Sequence, residues 1–213
     1  MTSASERLVL RDVLTQAQTL GLVGRGPLET HLRHARGYAH ALEASGVRVP
    51  PERVLDLGAG GGLPGLVLAL LWSETEHVWL DASGRSAEFL RVAASTCELE
   101  DRVSVVQGRA EEVGRTIEHR GRYDVVAARA FGAPAVTAEC AAPFLALHGA
   151  LVVSEPPGAA DDARWPTAGL SMLGLARRSA IRAEFGYQVL LQEVCCPDRY
   201  PRRVGVPSKR PLF

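Results

Sequence analysis

Val54-Leu55-Asp56-Leu57-Gly58-Ala59-Gly60-Gly61-Gly62-Leu63-Pro64-Gly65 joins a short apolar segment to a run of glycines and then to a second apolar segment. Val54, Leu55 and Leu57 suit a buried parallel strand, and the stretch 66–72 is long and apolar enough for a helix packed on the sheet. Pro64 suits that helix's first turn. Glycine accepts positive φ and lets backbone N–H groups come close to a ligand. Asp56, two residues ahead of Gly58, sets a carboxylate where that ligand arrives, which favours a cation over a phosphate.

Two frames fit the same glycines. Gly60-x-Gly62-x-x-Gly65 matches the dinucleotide fingerprint, in which a pyrophosphate rests on a helix N-terminus. Starting from Asp56 the pattern is Asp-x-Gly-x-Gly-x-Gly, the acidic form seen in S-adenosylmethionine-dependent methyltransferases, whose ligand carries a sulfonium and an amino group and no phosphate. The acid favours the second frame. The next apolar run, 77–80, ends in Asp81, 23 residues after Gly58 and near the spacing of an acid that accepts from two ribose hydroxyls. The same aspartate is also placed to cap a helix starting at Ala82.

Outward from this turn, strands are predicted at 53–57, 77–81, 102–107, 123–128 and 149–154. Helices are predicted at 63–72, 84–97, 110–119 and 134–147. The alternation predicts an α/β fold, a Rossmann-like doubly wound sheet, mostly parallel; joined to the acidic glycine frame it reads as the class I methyltransferase type. Two later runs, 175–183 and 187–194, predict an antiparallel C-terminal edge, after a loop or short helix over 156–168. Ahead of the core, 5–20 and 28–45 read as helices, the second closed by Gly46 and by Pro50-Pro51. The expected organisation is a short helical N-terminal extension, 1–50, and a methyltransferase domain, 51–213, that includes a basic C-terminal tail.

At 213 residues, 46% of them hydrophobic and 23% charged, the chain can bury one substantial core. No apolar run reaches the ~18 residues that span a bilayer, and the opening Met-Thr-Ser-Ala-Ser-Glu lacks the basic start and apolar core of a signal peptide. A cytoplasmic protein with no membrane contact is expected. Cys97, Cys140, Cys195 and Cys196 have no Cys-x-x-Cys spacing, so neither a disulfide framework nor a metal site is indicated. The lack of a coiled-coil repeat or a long apolar stripe predicts a monomer.

The formal net charge is zero, so any nucleic-acid contact has to be local. Arg199, Arg202, Arg203, Lys209 and Arg210, spaced among Pro197, Pro201, Pro207 and Pro211, predict an extended, ordered tail presenting cations outward to RNA. Arg25, Arg33 and Arg36 with His31, His34 and His40 form a second basic group, equally readable as an ordinary solvated surface.

Ligand groups in this architecture stand at the C-terminal ends of the strands. Asp56, Gly58, Ala59, Gly60, Gly62 and Leu63 are candidates for the methionine end of the cofactor. Asp81 and Ala82 are candidates for the ribose. Gly108-Arg109-Ala110-Glu111 follows the third strand and places the Ala110 N–H and the Glu111 carboxylate beside an adenine. Arg129, after the fourth strand, faces the point where the methyl group leaves and is both a cofactor contact and the candidate catalytic residue. Phe131 could stack on a base or simply fill the core.

Taken together, Asp56 to Gly65, Leu80-Asp81 with Phe89-Leu90, Gly108 to Glu111, Ala128-Arg129-Ala130-Phe131, and the ending from Arg199-Tyr200-Pro201-Arg202-Arg203 to Lys209-Arg210-Pro211-Leu212 resemble the bacterial glucose-inhibited division protein B family. The resemblance covers about 52–213, with Glu29-Thr30-His31-Leu32 similar to that family's Glu-to-His helix start. It implies transfer of methyl from S-adenosyl-L-methionine to N7 of one guanine in small-subunit (16S) ribosomal RNA, with the ribosomal RNA or small subunit as partner. Two positions depart from the family's pattern. Arg85-Ser86 stands where a Lys-Arg pair is usual, and Glu155 where a lysine is common, both removing positive charge from the expected RNA face. A paralogue acting on another RNA or a small molecule, an NAD-dependent oxidoreductase, and a cofactor binder without turnover are the alternatives.

Overall fold

The computed structural model describes residues 4–156 and 162–213. Two helices lead, α1 (Ala4–Thr19) and α2 (Leu28–Ala44). β1 (Arg53–Leu57), α3 (Gly65–Leu71), β2 (Glu76–Asp81), α4 (Gly84–Thr96), β3 (Val103–Gln107), α5 (Ala110–Val113), β4 (Tyr123–Ala128), α6 (Pro134–Ala141) and β5 (Leu145–Glu155) then alternate. α7 (Thr167–Ser171), the hairpin β6 (Leu175–Arg182) and β7 (Gly186–Gln192), and one last turn, α8 (Val206–Lys209), complete the chain.

The seven strands lie in the order β3-β2-β1-β4-β5-β7-β6, parallel through β5 and antiparallel at the β7-β6 edge. The order reverses beside β1, between β2 and β4, and a switch point of this kind opens a crevice at the strands' C-terminal ends. Alternation along β1 explains the layers. Leu55 and Leu57 face a core shared with β4, β5 and α6. Val54 faces the opposite layer, against Tyr38, Leu42 and Leu68.

The leading helices share this second layer. Leu10, Val13, Leu14 and Ala17 recur at helical spacing on one face of α1 and are buried against α4 and the residues of the glycine turn. Tyr38 of α2 is fully buried and donates from its hydroxyl to the Ala128 carbonyl at 3.0 Å, which ties α2 to the end of β4.

Two helices are shorter than the sequence predicts. The helix expected over 110–119 is the single turn α5, because the chain after Gly114 has no apolar face to bury and Ile117 stands exposed. The helix expected over 134–147 stops at Ala141 and passes through a 3-10 turn at Ala142–Phe144, where Pro143 offers no N–H. Strand pairing then begins at Leu145 rather than 149, with an irregularity in register between Tyr123 and Val125 that sets 146–149 opposite Asp124 alone. The loop expected over 156–168 lies partly outside the described residues; its described part holds a 3-10 turn at Asp162–Arg164 and the start of α7.

Candidate active site

The glycine turn spends most of its own donors inside the fold. The Gly58 and Ala59 N–H groups donate to the Leu80 carbonyl at 2.8 and 3.0 Å, lacing β1 to β2. The Gly60 N–H donates to Asp81 Oδ2 at 2.8 Å, Gly62 N–H to the Ala59 carbonyl at 2.7 Å, and Gly65 N–H to Asp56 Oδ2 at 2.7 Å. The expectation that these N–H groups reach toward a ligand is therefore corrected. A pyrophosphate would find five of these donors already satisfied, two of them by carboxylates. Gly58 is required for another reason. Its φ is +73°, and a Cβ there would lie 2.7 Å from Phe131 Cδ2, so only glycine lets the Phe131 ring close over the turn.

Asp56 is buried and is not among the residues lining either lobe of the cleft. It pins the start of α3 from beneath, with Oδ1 left without a partner and burial raising its pKa to about 7 despite the Gly65 hydrogen bond and the nearby charge of Arg129. Gly62 also faces inward, where a Cβ would strike Leu66.

The other predicted residues converge. One lobe of about 140 Å³ is lined by Gly58, Asp81, Ala82, Ala110, Glu111 and Phe131, with Cys140 and Ser208 behind them. A second lobe of about 160 Å³ is lined by Ala59, Gly60, Leu63 and Arg129 and roofed by 22–24, the linker between α1 and α2. Each is below the ~300 Å³ at which ligand pockets usually begin, and the two, meeting at Gly58, approach it together. The linker sits tightly on the turn: a Cβ on Gly61 would lie 2.9 Å from the Leu22 carbonyl oxygen.

Asp81 Oδ1 accepts from the Ser83 N–H at 2.8 Å, so its two oxygens are fixed by Gly60 and Ser83 while each keeps a further lone pair. The helix cap is Ser83, whose hydroxyl accepts from Ser86, and not Asp81. Glu111 Oε1 accepts from the Gly205 N–H at 3.0 Å and from Arg109 at 3.3 Å. Burial opposes its ionisation, but these donors outweigh it and hold its pKa below the usual glutamate value. Cys140 is the opposite case, its thiol pushed up to about 12 by burial and by Glu111 and Glu139, so it stays neutral.

Arg129 leaves the end of β4 just before Ala130, whose φ of +52° is left-handed without being glycine. Its Nη2 donates to His31 Nδ1 at 3.0 Å. His31 had entered the sequence reading as part of a basic group and in the Glu29-Thr30-His31-Leu32 resemblance, with no role assigned; no spacing links it to Arg129, because the two are joined by the docking of α2 and not by local sequence.

The tail is ordered, and Arg199, Arg203, Lys209 and Arg210 are exposed, but Arg202 does not face outward as expected. Its guanidinium closes on Glu139 of α6 at 2.8 and 2.6 Å, and its own N–H also donates to that carboxylate at 2.9 Å. The two departures from the family's pattern are also tied into the fold, Arg85 from an exposed position and Ser86 and Glu155 from buried ones. Arg85 donates to the Leu20 carbonyl at 2.6 Å and Ser86 is buried. Glu155 is buried and accepts from Arg164 at 2.7 Å and Trp165 at 3.0 Å, so it anchors the chain after β5 and is no part of an exposed face. Among the described residues no group of three or more His, Cys, Asp or Glu side chains is placed to hold a metal, and no helix is long and apolar enough to cross a membrane.

The sequence profile of the family described as rRNA small subunit methyltransferase G matches residues 14–175. The chain belongs to that family. It is 39% identical to the ribosomal RNA small subunit methyltransferase G of Deinococcus deserti, over 76% of this chain and 69% of that protein. It is 36% identical to the protein of the same name from Rubrobacter xylanophilus, over 88% of this chain and 75% of that one. Among solved structures it is similar to an O-methyltransferase from Bacillus cereus in complex with SAH, with a TM-score of 0.61, 18% identity, and coverage of 90% and 92% of the two chains. A methyltransferase from Geobacter sulfurreducens gives a TM-score of 0.59 at 14% identity, covering 86% and 87%. These two likenesses carry the fold. Membership of the small subunit methyltransferase G family carries the enzyme class: a methyltransferase that uses S-adenosylmethionine.

Proposed function

We propose that the protein transfers a methyl group from S-adenosylmethionine to N7 of a guanine in small-subunit ribosomal RNA, and that it works as a cytoplasmic monomer. The cofactor suits the cleft. A turn with most of its donors spent, beside the Asp81 carboxylate, suits a ligand with a sulfonium and an amino group and no phosphate. Asp81, with a spare lone pair on each oxygen, suits the ribose diol. The lobe around Ala82, Ala110, Phe131 and Val136 suits a purine. Asp56 acts through the Gly65 N–H it holds, and Gly62 through its packing.

The observation that carries the reaction is the second lobe: among the described residues lining it, Arg129 is the only ionisable side chain. An oxygen or amino-group acceptor has to lose a proton and needs a base of suitable pKa within hydrogen-bond reach. Guanine N7 has an in-plane lone pair and no proton. That lone pair forms the new bond to the methyl carbon, the carbon–sulfur bond breaks, and its electron pair stays on sulfur. The positive charge passes from sulfonium to guanine and no proton moves. The bound sulfonium supplies the electrophilic methyl; the chain's residues supply alignment and exclude water. Arg129 meets the guanine at O6 or at an adjoining phosphate, leaving N7 open. Arg199, Arg203, Lys209 and Arg210 supply phosphate contacts, and Arg202 orders the tail that presents them.

Small ribosomal subunits lacking their own guanine-N7 mark, incubated with the protein and methyl-labelled cofactor and then digested to nucleosides, should yield labelled 7-methylguanosine. Label on a ribose oxygen, on guanine N1 or N2, or on no nucleoside at all contradicts the proposal.

A further inference from the structure

His31 sits between two groups whose chemistry fixes its proton. Its Nε2 lies 3.0 Å from the Gly24 carbonyl oxygen, which can only accept, so Nε2 carries the hydrogen. Its Nδ1 lies 3.0 Å from Arg129 Nη2, which can only donate, so Nδ1 presents a lone pair. One neutral tautomer satisfies both contacts at once.

The half-buried Arg129 thus has an acceptor without charge. A carboxylate would hold the guanidinium more strongly, but it would neutralise it and compete for the donors that an electron-rich substrate needs. Among the described residues no carboxylate bonds to Arg129; Asp56, near enough to feel its charge, accepts from Gly65 through Oδ2 instead. The imidazole restrains the guanidinium and leaves its full charge on offer. The second contact is the lesser one and adds a tether. Gly24 belongs to the linker that roofs the second lobe, so a single ring joins that roof to the arginine at the lobe's wall.

We infer that His31 is a positioning residue for methyl transfer: as a neutral bridge it orients Arg129 toward the substrate base or its phosphate and ties that orientation to closure of the 22–24 linker. This rests on the function proposed above. It also gives α2, whose first turn carries His31, a direct part in the site.

The two ring nitrogens can be replaced separately. In His31→Asn the amide oxygen can stand for Nδ1, keeping an acceptor for Arg129 and losing the Gly24 contact. In His31→Gln the amide nitrogen can stand for Nε2, keeping the Gly24 contact and losing the acceptor. Cofactor affinity by calorimetry and single-turnover methyl transfer to small-subunit RNA are measured for both variants, for His31→Ala and for the parent. Misplacing a positioning group by about 1 Å costs on the order of 100-fold in rate. His31→Gln and His31→Ala are expected to lose about 10- to 100-fold in the transfer rate with cofactor Kd within about threefold of the parent, and His31→Asn to recover most of that loss. Equal impairment of Asn and Gln, parental rates in all three variants, or a loss confined to cofactor binding overturns the assignment while leaving the proposed function standing. A parent that binds the cofactor and transfers no methyl removes the proposed function, and this inference with it.

Discussion

Arg202→Ala separates a structural tail from an RNA-contacting one. Its partner Glu139 has a side chain with 0% exposure, and Arg202 itself is only 26% exposed. The substitution removes both guanidinium hydrogen bonds to the carboxylate and the bond from Arg202 Nη2 to the Arg210 carbonyl at 2.7 Å, leaving Glu139 with the backbone N–H of residue 202 alone. Removing one member of a buried pair costs about 3–5 kcal/mol, most of it the burden of an uncompensated charge. For a chain of this size each kcal/mol moves the melting temperature by about 2–4 °C, so a fall of roughly 6–20 °C is expected. In urea, with a slope of about 2 kcal/mol per molar, the midpoint should drop by about 1.5–2.5 M. The double variant Glu139→Leu/Arg202→Met, which buries no charge, should recover most of that stability. A single variant within about 0.5 kcal/mol of the parent, with a change confined to the salt dependence of RNA binding, refutes the buried-pair reasoning and restores Arg202 as a phosphate contact.

Asp81→Ala strips the acceptor from Gly60 and Ser83 together with the ribose contact and should weaken cofactor binding at least about 100-fold by calorimetry, whereas Arg129→Ala should bind within a few-fold of the parent and lose transfer; the reverse pattern exchanges their roles. Asp56 has a folded-state pKa of about 7, above the unfolded value near ~3.9, so its contribution to stability is intact below about pH 4 and is lost as pH rises toward 7. Asp56→Asn keeps an oxygen for Gly65 and lacks that loss, so chemical denaturation should find it the more stable protein at about pH 8, by up to a few kcal/mol, with the advantage gone near pH 4. An Asn variant less stable than the parent at both pH values contradicts this. Gly61→Ala has to push the 22–24 linker off the glycine turn and should cost about 1–3 kcal/mol in stability along with cofactor affinity. Parental behaviour in both would show that the linker does not rest on the turn.

The parallel core was legible because its signals are local. A buried strand, a glycine turn and an acid at the end of the next strand each occupy a few residues, and the strand limits at 53–57 and 123–128 coincide with the structure. The errors fell where tertiary contacts decide. Pro143 stopped a helix that the alanine-rich stretch appeared able to continue, and pairing with β4 recruited 145–148 into β5. Asp56 was aimed at the ligand because its position in the motif is adjacent to it, yet strand alternation turns its side chain toward the layer beneath α3. Arg202 carried a usable signal in its partner: Glu139 is the lone charge in an otherwise apolar stretch, 133–147, and a buried acid has to find a cation. His31 had no such signal. Its partner is 98 residues away, and only the packing of α2 on the sheet brings them together.

Methyl transfer by alignment alone, with no general base, has a direct kinetic signature. Single-turnover transfer to small-subunit RNA, measured from about pH 7.5 to 9 at saturating cofactor, should be flat across that range because no proton leaves the acceptor. A rate that climbs about tenfold per pH unit would reveal a deprotonation step and contradict attack by guanine N7.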